Sequence, residues 1–129
     1  MKRLLLVAVA VGALALASGA LAARPKGTYR ATIHSRALNG TLNGTWTITL
    51  TRGHYSVAFK GETVLKGKDS IHGSTITVGG GGAGTYCHAS GRYRFHLRGR
   101  RLRFTKIRDP SQGCGGRRLV LTTGHFTKV

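Results

Sequence analysis

The chain has 129 residues, of which 21 are lysine or arginine and three are acidic, a formal net charge of +18. That length accommodates one domain around one core. So few carboxylates leave little material for paired-acid catalysis, and the charge favours anionic partners without bearing on the fold.

Residues 1–22 read as a secretory signal. Lys2-Arg3 makes a basic start, residues 4–16 are almost continuously apolar, and Ala20-Leu21-Ala22 is a small-x-small cleavage site. The apolar run is shorter than the roughly 20 residues that span a bilayer, so cleavage is expected near Ala22-Ala23, leaving no transmembrane span. No cysteine stands near that site to carry a lipid. Residues 23–129 then form one extracytoplasmic domain. Loss of Lys2 and Arg3 leaves 19 cations against three acids, a net +16.

Strand periodicity fills the mature chain, and no segment shows a sustained helical one. Tyr29, Ala31 and Ile33 alternate with Arg30, Thr32 and His34; Trp46, Ile48 and Leu50 alternate with Thr45, Thr47, Thr49 and Thr51. Tyr55, Val57 and Phe59 repeat the pattern, followed by Ile76 with Val78. The clearest run puts Tyr93, Phe95 and Leu97 on one face and Arg92, Arg94, His96 and Arg98 on the other. Leu102 with Phe104, then Leu119 with Leu121, complete the set of predicted strands.

Turn signals separate these runs: Asn39-Gly40, Asn43-Gly44, Arg52-Gly53, Lys60-Gly61, Gly67-Lys68-Asp69, Gly99-Arg100 and Thr123-Gly124. Eight or nine short strands joined by tight turns predict antiparallel neighbours in an all-β fold. An up-and-down barrel of about eight strands is preferred to a sandwich because closure removes the exposed edges. The longer connections are 79–84, which holds five glycines, and 108–116, which holds Asp109-Pro110 and Cys114. No Gly-Lys-Ser/Thr follows the glycines, so they read as a hairpin connection rather than a phosphate loop. Cys87 and Cys114 are the only cysteines, and an even pair in an exported chain predicts a disulfide.

Gly27-Thr28-Tyr29, the run from Leu42 through Gly44-Thr45-Trp46 to Leu50, Gly91-Arg92-Tyr93-Arg94-Phe95, Leu102-Arg103-Phe104, and Asp109 with Cys114 and Arg117 together resemble the small secreted lipocalin-like (calycin-type) barrels of actinobacteria and related bacteria. Gly44-Thr45-Trp46 is similar to the lipocalin G-x-W element, although here a strand precedes it. The resemblance implies that a late arginine, Arg117 or Arg118, packs on Trp46. It also implies a non-catalytic binding protein for a small apolar or amphipathic ligand, working as a monomer.

The inward residues either fill a small barrel or line its pocket. Tyr29, Trp46, Tyr55, Phe59, Tyr93 and Phe95 are the pocket candidates. The outward Arg92, Arg94, Arg98, Arg101 and Arg103 form a candidate anion-binding surface, on which arginines recur about every 7 Å along a strand. A polyanion or an anionic cell envelope is the partner such a surface implies. The aromatics alternate to the opposite face, which argues against sequence-specific nucleic acid. A third reading is an enzyme inhibitor that presents one of the two long loops. No enzyme is expected, because the six histidines lack metal-ligand spacing, two of the three acids Glu62, Asp69 and Asp109 stand beside turn glycines or at a loop start, and Asp109 near Arg117 and Arg118 reads as a salt-bridge anchor rather than a catalyst. No cofactor and no metal are implied. Asn39-Gly40-Thr41 and Asn43-Gly44-Thr45 match the glycosylation sequon but read as hairpin turns.

Overall fold

A computed structural model describes residues 23–80, 87–110 and 114–129. The leader reading falls on residues 1–22 and lies outside them. Among the described residues, no helix is long and apolar enough to cross a membrane.

The strands are β1 (Gly27–Ile33), β2 (Gly44–Thr51), β3 (His54–Phe59), β4 (Glu62–His72), β5 (Thr75–Val78), β6 (Gly91–Arg98), β7 (Arg101–Arg108) and β8 (Phe126–Lys128). They pair in chain order, antiparallel throughout, into a closed barrel. Helix α1 (Gly115–Thr123) lies between the last two strands. The three residues of β8 make the closure: Thr127 stands opposite Arg101 of β7 and opposite Arg30 of β1. Without that short strand, β1 and β7 would each present an open ladder of backbone donors and acceptors.

Two-residue turns join the strands at 52–53, 60–61, 73–74 and 99–100. At Lys60-Gly61 both residues have positive φ, 51° and 86°, the type I′ geometry that suits the twist of a hairpin. Connections 34–43, 79–90 and 109–125 are longer, and all three lie at the same end of the barrel as the 60–61 turn. Asn39-Gly40 sits in a 3-10 turn (Ala37–Gly40) rather than a hairpin turn. Asn43 accepts a hydrogen bond from the Ser35 amide at 2.7 Å and so braces this loop.

Two further expectations change. Gly67-Lys68-Asp69 is not a turn but the middle of β4, which runs on to His72. Gly67 is there for close approach: a Cβ on it would lie 2.8 Å from the Tyr55 ring. Leu119 and Leu121 belong to a helix, not a strand. The helical face is Arg117, Val120, Leu121 and Gly124, at the i, i+3, i+4, i+7 spacing, and an arginine at its first position hides it from a reading of apolar residues alone.

The core follows the predicted alternation. Tyr29, Ile33, Trp46, Ile48, Tyr55, Tyr93, Phe95 and Phe104 are buried, while Phe59 and Leu97 are half-buried against them. Phe104 meets Tyr93 and Phe126 edge-on, with ring centroids 6.4 and 5.9 Å apart. Cys87 and Cys114 form the predicted disulfide.

Candidate functional site

Beneath α1, at the end of the barrel with the long connections, lies an apolar cavity of about 330 Å³. β2 contributes Trp46, Ile48 and Leu50 to its wall, and β3 contributes Tyr55 and Val57. Ile76, Val78 and Phe104 come from β5 and β7. Val120 and Leu121 of the helix cover it, and the rim carries Val64, Leu65, Cys87, Gly116 and Arg117. Val64 is 48% exposed because the β3–β4 register shifts between Val57 and Ala58, leaving it unpaired where the cavity meets solvent.

A nine-residue helix is marginal by itself, and α1 begins with Gly115-Gly116 and has no side-chain cap on its first turn. Tertiary contacts supply what propensity lacks. The helix packs against β7, buries Val120 and Leu121, and starts at Cys114, which the disulfide ties to Cys87.

The next turn of contacts is polar. Asp109, only 3% exposed at the end of β7, accepts Nε of Arg117 on Oδ2 at 2.9 Å and Nη2 on Oδ1 at 2.7 Å. The Tyr93 hydroxyl donates to Oδ2, and Nη1 of Arg118 donates to the Asp109 carbonyl at 2.8 Å. Tyr55 donates its hydroxyl to the Gly79 carbonyl, which also accepts from Nη1 of Arg117 at 3.4 Å. One network thereby joins β3, β6, β7, the 79–90 connection and α1.

Burial opposes charge on Asp109, but hydrogen bonds from Arg117 and Tyr93 and the charges of Arg117 and Arg118 outweigh it. They hold its carboxyl below the usual range. Burial likewise opposes the Arg117 charge, and Asp109 more than restores it, so that guanidinium is held protonated more firmly than usual. Burial pushes the Tyr93 hydroxyl far up, with the Asp109 hydrogen bond and charge adding to the shift. Tyr55 is pushed up by burial too, against the opposing charge of Arg117.

Of the six pocket candidates, Trp46 and Tyr55 line the cavity. Tyr29, Tyr93 and Phe95 are packed into the core, and Phe59 stacks on Trp46 with centroids 4.3 Å apart and planes 20° from parallel. For Arg117 the expected packing on the indole is corrected here: Phe59 stacks on Trp46, and Arg117 turns to Asp109. A buried carboxylate offers a guanidinium two charge-assisted hydrogen bonds, which an indole face cannot match. Trp46 donates Nε1–H to the Leu42 carbonyl at 2.8 Å. The aliphatic strand residues of the wall follow from the alternation, whereas the helical cover does not.

The five candidate arginines are all exposed on the β6–β7 hairpin. Its register sets Arg98 opposite Arg101, His96 opposite Arg103, Arg94 opposite Thr105 and Arg92 opposite Arg108. Among the described residues, no three histidine, cysteine or acidic side chains come together as a metal site. No known protein family, curated protein or solved structure matches this chain.

Proposed function

We propose that this protein is a secreted, non-catalytic carrier of a small apolar molecule, lipocalin-like in the broad sense that a closed antiparallel barrel holds the ligand beneath a terminal helix. The observation that carries this reading is the apolar cavity of about 330 Å³, at the lower end of the range for small-molecule pockets. A leader-like start and a disulfide support export. Among the described residues, the one charged side chain on the rim, Arg117, is neutralised by Asp109, so the site suits an uncharged ligand.

Trp46 is the only tryptophan and lines the wall, so its emission reports occupancy. Titration with 1-decanol is expected to shift that emission saturably. Val57→Phe and Val120→Phe, which fill the cavity from opposite sides, are expected to weaken binding by more than about tenfold. A parent protein that shows no saturable response to decanol or to a branched apolar alcohol, or filled variants that bind as well as the parent, would overturn the reading.

A further inference from the structure

The β6–β7 hairpin carries a stripe of positive charge that the rest of the fold does nothing to balance. Arg92, Arg94, His96 and Arg98 face out from β6, and Arg101, Arg103 and Arg108 are exposed on β7. The register sets arginine against arginine at both ends, Arg92 with Arg108 and Arg98 with Arg101. Like charges directly opposite each other across a ladder destabilise it. The chain has three acids with which to offset this, and none stands on the hairpin. Asp109 is committed to Arg117, Asp69 lies on β4, and Glu62 opens β4. Arg117–Asp109 is the one ion pair among the described residues.

Shape narrows the partner. From Arg92 to Arg98 the stripe runs about 20 Å; Arg92 and Arg94 on β6, and Arg101 and Arg103 on β7, stand about 7 Å apart, His96 and Thr105 come next in the two rows, and the strands lie about 5 Å apart. Its neighbours are hydroxyl residues: Thr75 and Thr77 of β5 stand beside Arg94 and Arg92, and Thr127 of β8 stands beside Arg101. A narrow stripe on a convex wall matches a line of charge better than a flat surface. Among the described residues no phenylalanine, tyrosine or tryptophan ring is exposed beside it, since Tyr93, Phe95 and Phe104 are all buried inside the barrel, which gives bases a poor stacking platform. The planar fork of arginine suits phosphate, and a polyol phosphate with about six backbone bonds between phosphorus atoms extends to a repeat close to the 7 Å strand spacing.

We propose that the β6–β7 hairpin binds a linear polyol phosphate polymer, whose successive phosphates lie along the two arginine rows. This surface is separate from the cavity and does not depend on the carrier reading.

The test is calorimetric titration of the full chain with a glycerol phosphate polymer of about 20 repeats at several salt concentrations. In the variant Arg94→Ser/Arg98→Ser/Arg101→Ser, affinity at low salt is expected to fall more than tenfold, and the slope of log K against log salt to flatten by about 2. A charge-matched control away from the hairpin, Arg36→Ser/Arg52→Ser/Lys66→Ser, is expected to lose less than about threefold. Both variants should melt within a few degrees of the parent, since all six side chains are exposed. If the control loses as much as the hairpin variant, attraction is by net charge alone and the proposal fails. It fails equally if the parent prefers heparin or oligothymidylate of equal charge to the polymer.

Discussion

Arg117 grips Asp109 through both carboxylate oxygens, at 2.9 and 2.7 Å, and thereby fixes the first turn of α1 to the end of β7. The two residues are eight apart in sequence, but the pair they form is the bolt between the helical cover and the barrel. Breaking a buried pair by removing one partner typically costs about 3–5 kcal/mol, because the other charge is left buried alone.

Asp109→Asn and Arg117→Met are therefore each expected to lower unfolding stability by about 3 kcal/mol, while the double variant Asp109→Asn/Arg117→Met should lose less than the two single losses added together. Denaturant titration of the four proteins closes the cycle. The pH dependence has a definite sign. The folded pKa of Asp109 lies below its unfolded value, so its contribution is complete above the ordinary carboxylate range and is lost as pH falls through the depressed folded value. Midpoints measured down an acid series should fall for the parent and change much less for Asp109→Asn.

Gly91 opens β6 directly beneath this pair. A Cβ there would sit 2.8 Å from Nη2 of Arg117 and 2.8 Å from Oδ2 of Asp109. Both atoms are held by their mutual hydrogen bonds in a buried site, so neither can retreat without loosening the pair. Gly91→Ala is expected to cost about 2–3 kcal/mol, against little change for an alanine at the neighbouring exposed Ser90. Equal midpoints for the two alanine variants would show that the pair gives way freely.

The Cys87–Cys114 disulfide spans 27 residues and anchors the start of α1 at the cavity rim. The loop-closure relation gives about 3.5 kcal/mol for a ring of that size. Cys87→Ala/Cys114→Ala should lose stability of that order and also weaken decanol binding, because the helix that covers the cavity loses its anchor. Far-ultraviolet dichroism should show the sheet signal retained, and a variant that binds decanol as tightly as the parent would remove the helix from the role of cover.

Asp69 presents the opposite electrostatics. Its Oδ2 is buried without a hydrogen-bond partner, and burial raises its carboxyl above the usual range, against the opposing charge of His54. A folded pKa above the unfolded one means that the charged form destabilises the fold at neutral pH, and that this penalty disappears as pH falls through the raised value. Asp69→Asn is expected to raise the melting temperature at pH 7 by about 2–5 °C, with the gain shrinking in acid. Thermal scans at pH 7 and pH 4 separate this from a gain that is independent of pH.

Most of the wall was legible in the sequence, and most of the cover was not. Tyr93, Phe95 and Phe104 declare their inward direction through strict alternation with arginines and threonines, because a strand has only two faces. Gly67 misleads for a physical reason: the same residue type serves a turn and a close approach, and only the Tyr55 ring lying against it decides between them. Phe59 and Tyr29 could equally have lined a cavity; the β2–β3 register sets Phe59 directly opposite Trp46, and Tyr29 packs in the core opposite Ile48.

By itself, the amino-acid order determined the strands, their faces, the disulfide and the excess of positive charge, all of which follow from local periodicity or from counting. Only the tertiary structure decided that 115–123 is a helix, and that Arg117, which the sequence allowed beside either Asp109 or Trp46, goes to Asp109 while Phe59 takes the indole. Both depend on contacts that no local pattern encodes, a helix too short and too glycine-rich to form without the barrel beneath it and a buried carboxylate that outcompetes an aromatic face, whereas the arginine stripe follows from local alternation and the Gly99-Arg100 turn.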